Sequence, residues 1–153
     1  MRGDGGKQGW DEYFLDLARA TAARAACLRR PVGAVLVQHH HLRATGYSSP
    51  PPGFGPCAPR PAALNGDGRC VCVPAEAGAL LDATPEVRDG ASLYTTAAPT
   101  FGVAALIASS GVKEVVAAGG RYEGWDATRR FLQDCGLRVR VLDSLEHAVA
   151  LPL

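Results

Sequence analysis

The run from Ser92 to Ala117, SLYTTAAPTFGVAALIASSGVKEVVA, places a strand, a helix and a second strand in close succession. Ser92–Thr95 reads as a short strand, and Pro99 opens a helix that runs to about Ser110 before Gly111. Glu114–Ala117 is again strand-like. Outward on the C-terminal side, the pattern predicts a helix over Trp125–Asp134, a strand over Leu137–Leu142 and a short tail helix. On the N-terminal side Pro74 suits the first turn of a helix ending near Leu81. Val32–Val37 and Leu42–Tyr47 form a hairpin pattern around the polar turn His39-His40-His41. Before it, Phe14, Leu17, Ala18, Ala22 and Ala25 recur at helical spacing, which predicts a helix from Trp10 to about Leu28, closed by Pro31. Strands alternating with helices argue an α/β sheet covered on both faces, in one domain spanning residues 1–153.

Composition narrows the function classes. A formal net charge of +1 over 153 residues, with the signs interspersed, gives no footprint for nucleic acid or an anionic membrane. No apolar run is long enough to span a bilayer, and MRGDGGKQ has no signal-peptide core, so a cytoplasmic protein is expected. Five cysteines in such a chain read as free thiols or metal ligands before disulfides. Cys135, before Gly136, reads as a small apolar side chain near a helix end. The Pro/Gly-rich stretch from Ser48 to Gly68 reads as a long irregular loop, a place for function or for a metal staple.

Four blocks, in order, resemble the bacterial deoxycytidylate deaminase family, including its late-competence deaminase-like members. They are Trp10-Asp11-Glu12-Tyr13-Phe14 with the segment from Cys27 to Ala34; Ala44-Thr45-Gly46-Tyr47; Cys70 to Val73 leading into Ala75-Glu76; and Leu93-Tyr94 through Pro99. The resemblance implies a cytidine-deaminase-like three-layer α/β/α sandwich with a mixed five-stranded sheet, and self-association into homo-oligomers. The family's chemistry uses a zinc held by His and two Cys, in H-x-E and P-C-x-x-C, with Glu as proton shuttle. Here those blocks read Pro74-Ala75-Glu76 and Pro99-Thr100-Phe101-Gly102-Val103. Pro and Val have no donor atom, and a Thr hydroxyl is a poor zinc ligand. No catalytic zinc and no ordinary deaminase activity are therefore expected. Ser48 stands where the family has a sugar-contacting Asn, and Gly78 where it has a second Asn.

Glu76 survives at the proton-shuttle position, as a candidate acid/base with Thr100 beside it; the competing reading is a first-turn acid favoured by the helix dipole. Cys27, Cys57 and Cys70 match the family's structural-zinc positions, and Cys72 would replace a ligand lost at Arg69. The alternatives are reduced thiols or a Cys27–Cys57 disulfide. Arg29 and Arg30 suit a phosphate or a helix C-terminus. Tyr122 and Trp125 suit stacking on a flat ligand or packing in a core or interface. The histidine triplet reads as a solvated turn before a metal site. The expected function is a non-deaminating, deaminase-like protein that binds a nucleotide-like or other small molecule, or acts as a scaffold or regulatory subunit. The alternative is a metal-free biosynthetic enzyme that uses Glu76 for hydrolysis, dehydration or cyclisation.

Overall fold

Strand β1 (Gly33–Gln38) is buried at every position before Gln38, the mark of a central strand covered on both faces. The computed structural model describes residues 6–27, 30–57 and 71–143. Within them the order is α1 (Trp10–Ala22), β1, β2 (His41–Tyr47), α2 (Ala75–Leu81), α3 (Pro85–Arg88), β3 (Ser92–Thr95), α4 (Phe101–Ala108), β4 (Glu114–Ala117), α5 (Trp125–Asp134) and β5 (Arg138–Val141). The sheet runs β2-β1-β3-β4-β5. β1 is antiparallel to both β2 and β3, while β3, β4 and β5 are parallel. This is the expected mixed five-stranded sheet.

Alternate residues sort the two faces. Leu36, Leu93, Val115 and Val139 lie in one core with residues of α2, α4 and α5. Val35, Val37, Tyr94 and Val116 face the other way, onto Phe14, Leu15 and Ala18 of α1. Three layers result. Two glycines set how closely helices approach the sheet. A Cβ on Gly33 would lie 2.1 Å from the Ala18 carbonyl oxygen, and one on Gly46 would lie 2.1 Å from that of Ala75. Gly46 thus lets the start of α2, and Glu76 with it, rest directly on β2.

The turn between β1 and β2 is two residues long. His39 and His40 adopt φ of 53° and 61°, the left-handed pair that a tight hairpin needs. The His40 ring stacks on Trp10 at 4.2 Å.

Helix α1 stops at Ala22, short of the expected Leu28. The chain turns at 23–24, and the Ala26 N–H goes to the Ser48 carbonyl, 2.9 Å away, so this backbone is tied to the end of β2 and not to its own helix. The short α3 was not anticipated; Pro85 in its first turn and the Thr84 side chain accepting from the Val87 N–H define it. The expected tail helix lies outside the described residues.

Candidate functional site

The elements converge at the end of the sheet where β1 begins and β2 and β3 finish. There a cavity of about 380 Å³ is lined by Cys27, Arg30, Val32, Ser48, Cys72, Val73, Pro74, Ala75, Glu76, Ala97, Thr100 and Val103. It gathers residues from four stretches of the chain, 27–32, 48, 72–76 and 97–103, and the N-terminal turns of α2 and α4 both line it. Isolated bridge pairing of Ser49 with Val73 holds the strand leading into α2 beside the end of β2.

Glu76 is 4% exposed. Burial away from water pushes its carboxyl up to about 7; its own backbone N–H and the charge of Arg30 only partly offset that. A carboxyl raised that far is of the kind suited to proton transfer near neutral pH. Arg30 lines the cavity and donates to the Ala98 carbonyl oxygen at 2.9 Å. Thr100 is the N-cap of α4, yet its hydroxyl makes no capping hydrogen bond.

Ser48 also lines the cavity, but its hydroxyl is occupied. It accepts from the Val32 N–H at 2.9 Å and donates to the Arg30 carbonyl at 2.9 Å. It therefore acts as a strut between β1 and β2. Gly78 faces the sheet: a Cβ there would lie 3.6 Å from the Gly46 Cα.

The cysteines divide. The sulfurs of Cys27, Cys57 and Cys72 all lie within 4.8 Å of one another. A tetrahedral zinc with bonds of ~2.3 Å needs sulfurs roughly 3.8 Å apart, so the three thiols fit one cation after slight closure. Cys27 is buried while Cys57 and Cys72 are half-buried, and the cluster joins the segment between α1 and β1, the chain after β2 and the segment before α2. Cys70, the fourth expected member, and Arg29 lie outside the described residues. The histidine turn joins no metal-ligand cluster among the described residues.

Tyr122 and Trp125 stand away from the cavity. The Trp125 ring is 2% exposed and packed in the core under α5. The Tyr122 hydroxyl contacts the Pro99 carbonyl at 2.9 Å and the Thr128 hydroxyl at 2.8 Å. Neither residue is among those lining the cavity, and both pack against the core. Val32, Val73 and Ala97 line the cavity without having been singled out, their only signal being adjacency to Ser48, Pro74 and Thr100 across the fold.

The profile of the family described as the cytidine and deoxycytidylate deaminase zinc-binding region matches residues 8–119, a stretch that includes every cavity residue. The chain belongs to this family. Among its deaminase relatives, the deoxycytidylate deaminase of Mycobacterium phage D29 is 43% identical over 118 residues, covering 70% of this chain and 92% of that protein. The deoxycytidylate deaminase of Schizosaccharomyces pombe is 35% identical over 149 residues, and the chain spans 46% of its length. The crystal structure of the dCMP deaminase from cyanophage S-TIM5 in complex with dCMP and dUMP superposes with a TM-score of 0.73 at 26% identity, covering 86% of this chain and 95% of that one. The deaminase fold is thus shared along most of the chain, and a zinc-binding family frames the thiol cluster.

Proposed function

We propose that this chain keeps the ligand cavity of the deaminase family without its catalytic zinc site, and that it binds a nucleotide-like small molecule there without deaminating it. The observation that carries this reading is the donor chemistry around Glu76. Pro74 and Val103 offer no donor atom, and Thr100 offers one neutral hydroxyl. That set does not fit a zinc ion, which takes thiolate, imidazole or carboxylate ligands. Water beside Glu76 then keeps a pKa near that of bulk water and stays a weak nucleophile. The cavity itself, about 380 Å³ with apolar walls and a few polar groups, is of a size that suits a small ligand. The nucleotides bound by the cyanophage relative support the choice of ligand class, and Arg30 in the cavity lining supplies a fork for a phosphate.

A zinc bound by Cys27, Cys57 and Cys72, with Cys70 as a further expected ligand, completes the reading, as does a cytoplasmic homo-oligomer or a regulatory role in one. No helix among the described residues is long and apolar enough to cross a membrane.

The test joins calorimetry to an assay. Titration with dCMP, dUMP and purine nucleotides is expected to give heat with at least one, and a spectrophotometric dCMP assay with added zinc is expected to stay flat. Zinc-dependent turnover of dCMP would falsify the reading. Metal analysis is expected to give one zinc per chain; two would place a second ion where no donors are foreseen.

A second reading is favoured by the buried carboxyl. With its pKa near 7, Glu76 can serve a metal-free hydrolysis, dehydration or cyclisation as acid and base in turn, with Thr100 orienting the substrate. Under this reading Glu76→Gln abolishes turnover of a substrate unlike dCMP while the fold is kept.

A further inference from the structure

Cys27 and Cys72 belong to two constellations at once: they are members of the thiol cluster and they line the cavity that holds Glu76. Cys57, the third thiol, does not line it. We infer that the cation site at Cys27, Cys57 and Cys72 is the movable wall of the Glu76 cavity, so that metal occupancy controls ligand binding. This rests on the cavity being a small-molecule site, as proposed above.

The argument is one of connectivity. The three sulfurs come from the segment between α1 and β1, from the chain after β2, and from the residue directly ahead of Val73 and Pro74. Glu76 follows Cys72 closely in the chain, in the first turn of α2. Drawing sulfurs that now lie up to 4.8 Å apart to the roughly 3.8 Å edges of a zinc–thiolate tetrahedron moves both wall residues and ties three separate stretches of the chain to one point. A cavity whose wall is already fixed binds its ligand without bearing the ordering cost, and by linkage the ligand tightens the metal by the same factor. Cys70 plays no part in this inference.

The experiment compares zinc-loaded protein with protein stripped by a chelator, using dCMP and dUMP as calorimetric probes. We expect about tenfold tighter probe binding with zinc, and about tenfold tighter zinc binding with saturating probe. In the cobalt-substituted protein, the thiolate-to-metal absorption bands are expected to shift when the probe is added, a readout independent of activity. Cys57→Ser, which leaves the cavity lining intact, is expected to bind probe at the stripped level whether or not zinc is present; Cys135→Ser is expected to behave as the parent.

Equal probe affinities in the two metal states, with cobalt bands that ignore the probe, overturn the inference and leave the proposed function standing. Failure of both probes in both states overturns the inference, and failure of the purine nucleotides as well overturns the proposed function. Loss of the circular-dichroism signal on stripping would make the cluster a folding staple and also overturns the inference. Should Cys57→Ser fail to fold, the stripped parent protein carries the same comparison.

Discussion

At the end of the sheet where β1 stops and β3 and β4 begin, two carboxylates are held by a network. Arg140 of β5 donates to Asp11 at 2.6 and 3.0 Å and to Glu114 at 2.9 Å. The Tyr94 hydroxyl donates to Asp11 at 2.8 Å, and the Ser92 hydroxyl to Glu114 at 3.1 Å. The hydrogen bond from Arg140 is the main reason the Asp11 carboxyl sits below its usual range. At the opposite end Glu76 is buried more deeply, with Arg30 acting only at a distance, and its carboxyl moves the other way, to about 7. One residue type therefore does two jobs. Where donors surround it, the carboxylate is a fastening between α1 and β5; where they are withheld, it is a buried carboxyl raised toward neutrality at the wall of a cavity.

The strongest way to break this contrast is Glu76→Gln. Because the folded-state value is raised, the group's contribution to stability is fully present below the ordinary glutamate value of 4.5 and is lost as pH rises through about 7. At roughly 1.4 kcal/mol per pH unit, that interval corresponds to about 3 kcal/mol. Urea denaturation at several pH values is expected to show Glu76→Gln more stable than the parent by up to about that amount at pH 8, with the advantage vanishing near pH 4. An unchanged pH profile would mean that Glu76 is solvated or paired in solution.

Arg140→Met attacks the other end and is expected to act with the opposite sign. It removes the guanidinium that joins Asp11 to Glu114, leaving Glu114 only its ion pair with the exposed Arg138. Arg140 and Asp11 are each 35% exposed, so solvent screens part of the loss, and a destabilisation of about 1–2 kcal/mol at pH 7 is expected. The contribution of Asp11 is full above its ordinary value of 3.8 and fades as pH falls through the lowered folded value. Denaturant midpoints of parent and variant are therefore expected to converge in strong acid.

These two ends were not equally legible in the sequence. The cavity end could be read because Glu76, Thr100, Arg30 and Cys72 sit in short blocks whose local pattern carries a family resemblance. The network end could not: Asp11 and Arg140 are 129 positions apart, and only the register that sets Tyr94 opposite Val116 and Val116 opposite Arg140 brings them to one face. Strands β3 and β4 and helix α5 fell where hydrophobic pattern placed them, since Gly and Pro punctuate both sides. The end of α1 did not, because Ala25 continues the apolar spacing while a long-range hydrogen bond from Ala26 to Ser48 takes the backbone elsewhere. Tyr122 and Trp125 looked available from sequence; which side of α5 faces the core is decided by packing.

Ser48→Ala probes whether the cavity rim is held from within. Losing the hydroxyl strands the Val32 N–H, which it accepts at 2.9 Å in a buried position. A cost of about 1–2 kcal/mol in thermal or urea unfolding is expected. A cost near zero would return Ser48 to the role of a free ligand contact.

The smallest change in stability is expected from Thr100→Val, and its smallness is the point. Removing a Thr N-cap ordinarily costs about 1 kcal/mol, because the hydroxyl satisfies a helix N–H. Here the α4 cap makes no such bond, and the side chain is exposed at the cavity, so there is little for the fold to lose. Valine keeps the shape and removes only the hydroxyl. Unfolding midpoints are expected to shift by less than about 0.5 kcal/mol, while calorimetric affinity for the proposed nucleotide ligand falls by a factor typical of one neutral hydrogen bond, about 3- to 10-fold. A full capping loss with unchanged ligand affinity would show that Thr100 serves α4 and not the cavity, and would move it from the Glu76 side of the comparison to the Arg140 side.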